Sequence, residues 1–278
     1  MNGNRAAKRT AVYVALSALA LVYVLPILFM IVGSLKPESR VLTEAGTAKA
    51  LIPAGASLEN YRDVFDRAPF GRYLLNSLIV NAGIVGLGLP VNAMAGYALA
   101  RLRWRGRGAV LAFVLAVLTV PFEAIAVPLF FQVTVLGWRD VYSVQILPFV
   151  ANPLSIYLFY SFFLDLPPEL EEAARIDGAG PFRIFFSIIL PNAKPAFASV
   201  AIVTLLMYWG LYLWPLLVTA GEGVRPLPLG IATFYTLPPR QWGDILAFGV
   251  MMVAPVLVVF LLFQRWFVRG VSSTGVGG

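Results

Sequence analysis

Six apolar stretches of about 20 residues divide this 278-residue chain, at 11-33, 73-99, 109-131, 143-163, 196-219 and 243-267. A run of that length crosses the hydrocarbon core as a helix, the one non-barrel way to satisfy every backbone N–H and C=O in lipid. The expected fold class is an all-α integral membrane protein with six transmembrane helices. Composition agrees, with 59% hydrophobic and 13% charged residues, against roughly 45–50% and about 25% for a soluble domain. That excess cannot be hidden inside one globule, so a soluble enzyme is excluded. The chain has no Cys and no His, which removes thiolate nucleophiles, Cys/His metal sites and imidazole acid–base catalysis.

A net charge of +7 raises the question of nucleic acid, but the charges cluster between the apolar runs rather than on one face of a folded domain. No nucleic-acid partner is expected; membrane lipid is. With the N-terminus inside, the cytoplasmic segments hold Arg5, Lys8, Arg9, Arg101, Arg103, Arg105, Arg107, Arg175, Arg183, Lys194, Arg265 and Arg269. The two short outer loops hold only Arg139, Arg225 and Arg240. This asymmetry places the tails 1-10 and 268-278 in the cytoplasm of a multi-pass inner-membrane protein. The first apolar run follows basic residues as a signal peptide does, yet it is longer than the roughly 7–15 residues of such a core and is read as a retained span. The outer segment 34-72 mixes acids and bases. There Ser57 is the expected N-cap of a short amphipathic helix whose apolar face is Leu58, Tyr61 and Phe65.

The loop 165-195 between the fourth and fifth spans is too structured for a plain connection. Pro167 and Pro168 suit a helix start, Glu169, Glu171 and Glu172 lie near its positive end, and Gly178 stops it in the left-handed C′ position. Pro181 restarts a second helix, on which Phe182, Phe185, Phe186 and Ile189 recur at i, i+3, i+4 and i+7. From periodicity alone two covers for this stripe stay open: the bilayer with the chain's own spans, or another protein.

The residues themselves resemble a known family. Glu172-Ala173-Ala174, Gly178, Ile188 and Leu190-Pro191 reproduce the spacing of the EAA motif of ATP-binding-cassette (ABC) importer permeases, and Ile176-Asp177-Gly178-Ala179 resembles the carbohydrate-uptake branch. Asn76-Ser77, Tyr97-Ala98-Leu99-Ala100-Arg101 and Pro128-Leu129-Phe130 extend the likeness. The resemblance implies a type I importer permease fold, a core of 73-267, and a coupling helix seated on a cytoplasmic ATPase. The coupling set would be Glu171, Glu172, Ala173, Ala174, Asp177, Gly178, Phe182, Phe185, Phe186, Ile188, Leu190 and Pro191. It also implies a second, similar permease and an extracytoplasmic solute-binding protein, docking on 34-72 and 220-242. The chain's four lysines follow no glycine, so it carries no P-loop. ATP and Mg are expected on the partner, with no cofactor bound here and no chemistry done on the solute.

Candidates for a solute pathway are Glu123, Asn81, Asn92, Tyr208, Trp209 and Tyr212. Glu123 is the one acid well inside an expected span, where an ionisable group is a functional candidate by default; an interfacial or partner-paired glutamate is the competing reading. Asn81, Gly88 and Asn92 form one polar and small face, which packing explains as well as a pathway does. In Tyr208–Trp214, aromatic faces can cover the apolar side of a sugar, while Trp214 is expected in the interfacial belt. A secondary transporter or channel working without ATP is the alternative class, and it would leave the EAA loop without a purpose.

Overall fold

The computed structural model describes residues 2–176 and 178–274, with side chains described for 8–172, 174–176 and 178–263. Every regular element among them is helical. In order they are α1 (Asn2–Ser34), α2 (Glu38–Val41), a 3-10 turn (Ala48–Leu51), α3 (Glu59–Arg67), α4 (Phe70–Arg101), α5 (Arg107–Val117), α6 (Phe122–Val135) and α7 (Tyr142–Ile146). A second 3-10 turn (Leu147–Phe149) leads to α8 (Pro153–Leu164), α9 (Glu169–Ile176) and α10 (Pro181–Ile184). A π-turn (Phe185–Ile189), α11 (Leu190–Asn192), α12 (Lys194–Trp209), α13 (Leu213–Val218), α14 (Leu227–Thr236) and α15 (Trp242–Thr274) complete the described residues.

Among the described residues three helices, within α1, α4 and α15, are long and apolar enough to cross a membrane, or up to six spans if each bent pair counts as one. The bent pairs are α5 with α6 at 96°, α7 and its 3-10 turn with α8 at 43°, and the 181–192 segment with α12 at 78°. The expected spans at 109-131 and 143-163 are each bent, at Pro121 and around Asn152. Proline supplies no N–H for the helix ladder, so a break there leaves fewer groups to satisfy. The expected span 196-219 ends early: α12 stops at Trp209, Gly210 follows, and α13 is a separate short helix. The segment 220-242 holds an apolar helix, α14 (Leu227–Thr236).

The chain divides into two compact units, one of residues 1–70 with 230–254 and one of 71–229 with 255–278. In the first, the segment after α1 is tied down by charge. Lys36 is buried, and its ammonium donates to Glu44 at 3.0 Å and to the carbonyls of Lys49 and Ala50 at 2.7 and 3.0 Å. The hydrogen bond from Lys36 holds the Glu44 carboxyl below its ordinary range. Glu38 accepts from the backbone N–H groups of Trp242 and Gly243 at 2.9 and 2.8 Å, an N-terminal clamp on α15. Helix α3 forms as expected but turns a different face inward: Asn60 and Val64 are buried, while Leu58 and Phe65 are exposed. The reason is polar. The Asn60 amide donates to the carbonyls of Ser34 and Lys36, both at 2.8 Å, and so closes the end of α1. Ser57 accepts only a long 3.4 Å contact from the Glu59 N–H, and Leu58 occupies the cap position.

In the second unit, α4 is the axis, and it meets α8 at very close range. A Cβ added at Gly96 would stand 2.7 Å from the Phe159 Cβ and 2.9 Å from the Tyr160 nitrogen. Small residues permit this approach in a membrane, where backbone contact replaces the hydrophobic drive. Because backbone rather than a flexible side-chain tip stands opposite, Gly96→Ala must separate the helices. We expect a loss of about 1–3 kcal/mol, read as a lower melting temperature of the purified protein, with Gly71→Ala, which meets nothing within 4 Å, as the neutral control.

Candidate functional site

Most of the candidate residues lie in two regions, the loop 165–193 and α4 with its neighbours. In the loop, α9 starts at the two prolines as expected, with the Pro168 carbonyl accepting from the Glu171 and Glu172 N–H groups. It ends in the expected left-handed glycine: Gly178 has φ +76°. The Gly178 N–H donates to the Arg175 carbonyl and the Ala179 N–H to the Ala174 carbonyl, at 3.0 and 2.9 Å. These are the 5→2 and 6→1 bonds of a Schellman stop. Asp177 lies outside the described residues, as does the side chain of Ala173.

The three glutamates do not behave alike. Glu169 and Glu172 are exposed, whereas Glu171 is 4% exposed. Its carboxylate lies 3.3 Å from Arg101 Nε and accepts from Arg175 at 2.9 Å. Arg101 also donates to the Leu166 carbonyl. The aromatic stripe divides in the same way. Phe185 and Ile189 enter a core with Tyr97, Phe163, Ala174 and Ile184, and Ile188 and Leu190 pack against it. Phe182 and Phe186 face out, 76% and 53% exposed, and Ile176, the last residue of α9, is 86% exposed. A π-turn over Phe185–Ile189 changes the register, so the stripe counted at helical period is two adjacent faces, one covered by the chain and one uncovered. Pro191 sits in the first turn of α11, and the sharp bend falls just beyond, before α12.

The pathway candidates are not gathered into one site. Asn92 and Tyr208 meet through Asn152, which sequence reasoning missed. The Asn92 amide donates to the Val150 carbonyl and its carbonyl accepts from the Asn152 N–H, both at 2.9 Å. These are backbone groups freed by the break between α7 and α8. The Asn152 side chain caps α8 through the Ser155 N–H at 2.9 Å and donates to the Tyr208 hydroxyl at 2.6 Å. Asn92, Asn152, Ser155 and Tyr208 are all buried. Asn81 points elsewhere: with Trp209, Leu78, Ala201, Val259 and Phe263 it lines an apolar cavity of about 300 Å³. Tyr212 is exposed, and Glu123 is exposed in the first turn of α6 after the 96° bend. Trp214, expected at the membrane interface, is instead fully buried; its indole donates to the Val144 carbonyl at 2.8 Å and meets the Phe122 ring edge-on.

Asn76 and Ser77 hold the loop before α14. The Asn76 amide donates to the Gly223 and Arg225 carbonyls at 3.1 and 2.8 Å and accepts from the Tyr142 hydroxyl at 2.7 Å, and Ser77 accepts from the Leu227 N–H at 2.8 Å. Gln145 adds a bond to the Val224 carbonyl, and Asp140, at φ 60°, accepts from the Ala220 and Gly221 N–H groups. Side chains from α4, from α7 and from Asp140 thus fix the backbone of this loop.

Broken apolar helices, a polar network that closes their breaks, and a structured loop with an uncovered apolar tip define a helical membrane permease. The family described as binding-protein-dependent transport system inner membrane component matches residues 88–273, and the chain belongs to it. Among its relatives, the arabinooligosaccharides transport system permease protein AraQ of Halalkalibacterium halodurans is 35% identical over 261 residues, covering 94% of this chain and 93% of that protein. The diacetylchitobiose uptake system permease protein NgcG of Streptomyces coelicolor is 34% identical over 258 residues, covering 91% and 84%. A chain of a bacterial ABC transporter involved in the import of the acidic polysaccharide alginate shares the fold, with a TM-score of 0.82 at 24% identity over 96% of this chain and 98% of that one. The chain is accordingly a permease subunit of an ABC importer, a transport component rather than an enzyme, and ATP hydrolysis belongs to a separate subunit.

Proposed function

We propose that this subunit carries an oligosaccharide or sugar-like solute, handed over by an extracytoplasmic binding protein, through six spans with both termini cytoplasmic. Relatives named for arabinooligosaccharides, diacetylchitobiose and sn-glycerol-3-phosphate support that solute class. In this reading the tail 1-10 and the tail 268-278 are cytoplasmic, 34-72 is extracytoplasmic, and 73-267 is the permease core. A second permease covers α1, whose most apolar window has no buried residue.

The loop 165-195 is the coupling element, and one observation carries this assignment. Ile176, Phe182 and Phe186 stand exposed around the Gly178 turn, while Phe185 and Ile189, from the same run, anchor it to the core. A large apolar tip on a rigid base is what a cleft in another protein takes up. Nucleotide-driven closure of two ATPase subunits, with ATP and Mg held there, then rocks the spans between inward- and outward-open states.

The double variant Phe182→Glu, Phe186→Glu removes the tip without touching the core. It should cost about 2 kcal/mol or more of association, roughly a 30-fold loss of ATPase subunit retained on copurification, with the melting temperature of the isolated permease unchanged. Undiminished retention would reject the coupling assignment. Concentrative uptake by the permease without an ATPase would reject the importer reading as a whole.

A further inference from the structure

The coupling reading leaves open how a push on the loop reaches the spans, and Arg101 offers the connection. It is the last residue of α4, and it stands at the head of an arginine cluster that the positive-inside rule alone would explain. Its neighbours Arg103 and Arg105 are exposed, as that rule predicts. Arg101 instead turns inward, its side chain 13% exposed, and reaches both sides of the Pro167-Pro168 pair: the Leu166 carbonyl before it and the Glu171 carboxylate after it.

Glu171 is unlike its neighbours in the same manner. A helix N-terminus favours all three glutamates of its first turn, yet only Glu171 is buried, with one carboxylate oxygen on Arg101 and the other on Arg175. Around them Tyr97 of α4 meets Phe163 and Phe185 at 6.0 and 5.2 Å between ring centroids. Apolar contacts of this kind are non-directional and allow sliding. A buried ion pair allows one register, because a slip leaves a charge unpaired in a poor solvent for it.

We infer that Arg101 and Glu171 are positioning residues: their pairing makes the end of α4 move as one body with α9, so that displacement of the coupling loop is delivered to a full-length span. The inference rests on the coupling reading of the loop, and its failure has a different signature. The assembled importer with its ATPase, reconstituted in vesicles, provides the test. In Glu171→Gln and Arg101→Gln, solute taken up per ATP hydrolysed should fall at least about fivefold. Arg101→Lys, which keeps the charge, should recover most of the coupling.

The absence of native cysteine allows a direct readout from spin labels at Glu169→Cys and Arg103→Cys, both exposed. One narrow distance should serve for the nucleotide-free and ATP-trapped states, and Glu171→Gln should broaden it. An unchanged uptake-to-hydrolysis ratio, a proportional loss of both activities, loss of assembly in the Gln variants, or a distance that differs between the two states of the parent would overturn the latch. Failure of the coupling reading would appear separately, as an ATPase that still binds the Phe182→Glu, Phe186→Glu protein.

Discussion

Arg67→Ala is expected to destabilise the unit of residues 1–70 and 230–254 by about 3–5 kcal/mol, the usual result of breaking a buried ion pair from one side. Asp244 is fully buried, and Arg67 is its ion-pair partner. The same guanidinium donates to Gln241 at 2.7 Å and to the carbonyls of Leu237 and Pro239, and it lies 5.8 Å from the Phe234 ring centroid. One side chain from α3 therefore organises the approach to α15, next to the Glu38 clamp on the Trp242 and Gly243 N–H groups. Removing it strands a carboxylate and several acceptors together. In the purified protein the loss should appear as a fall in melting temperature on the order of 10 °C and as proteolysis within 34–70. Asp244→Asn keeps a hydrogen-bond acceptor without a buried charge and should cost much less. Equal losses in the two variants would show that the charge is not what matters.

These contacts mark where sequence reasoning stops. Gly178 was legible because a left-handed helix stop excludes other residues on steric grounds, and that constraint is local. Glu171 was not: the motif draws the eye to Glu172, and only the return of α4 beneath α9 decides which glutamate turns inward. The stripe from Phe182 to Ile189 was counted with one period, and the π-turn that divides it leaves no mark in hydropathy. The apolar runs at 109-131 and 143-163 mark where spans lie, but hydropathy carries no angle, and the bends of 96° and 43° within them come from packing around the breaks. Trp214 followed its residue type to the interface, while the Val144 carbonyl, 70 positions away, provides the partner that lets it be buried. Arg67 and Asp244 stand 177 positions apart, and no spacing rule reaches that far.

The breaks themselves define the last expectation. A helix interrupted within an apolar layer frees backbone groups that lipid cannot satisfy, so something in the protein must. Here Asn92 answers both, donating to the Val150 carbonyl and accepting from the Asn152 N–H. Asn92→Leu keeps the branched outline of the side chain, with somewhat more bulk, and abolishes both bonds. At about 1–3 kcal/mol for each orphaned group, the loss should reach roughly 2–6 kcal/mol, with low yield and a strongly reduced melting temperature of the purified permease. Asn92→Ala opens space beside the break, and a water that enters can replace part of the lost bonding, so its defect should be the smaller one. The order distinguishes two roles for the residue. A break-sealing Asn92 makes leucine worse than alanine in stability, whereas a solute ligand would lose transport in both variants with stability intact. The second pattern would return Asn92, and with it the Asn152 and Tyr208 hydrogen-bond chain, to the solute pathway.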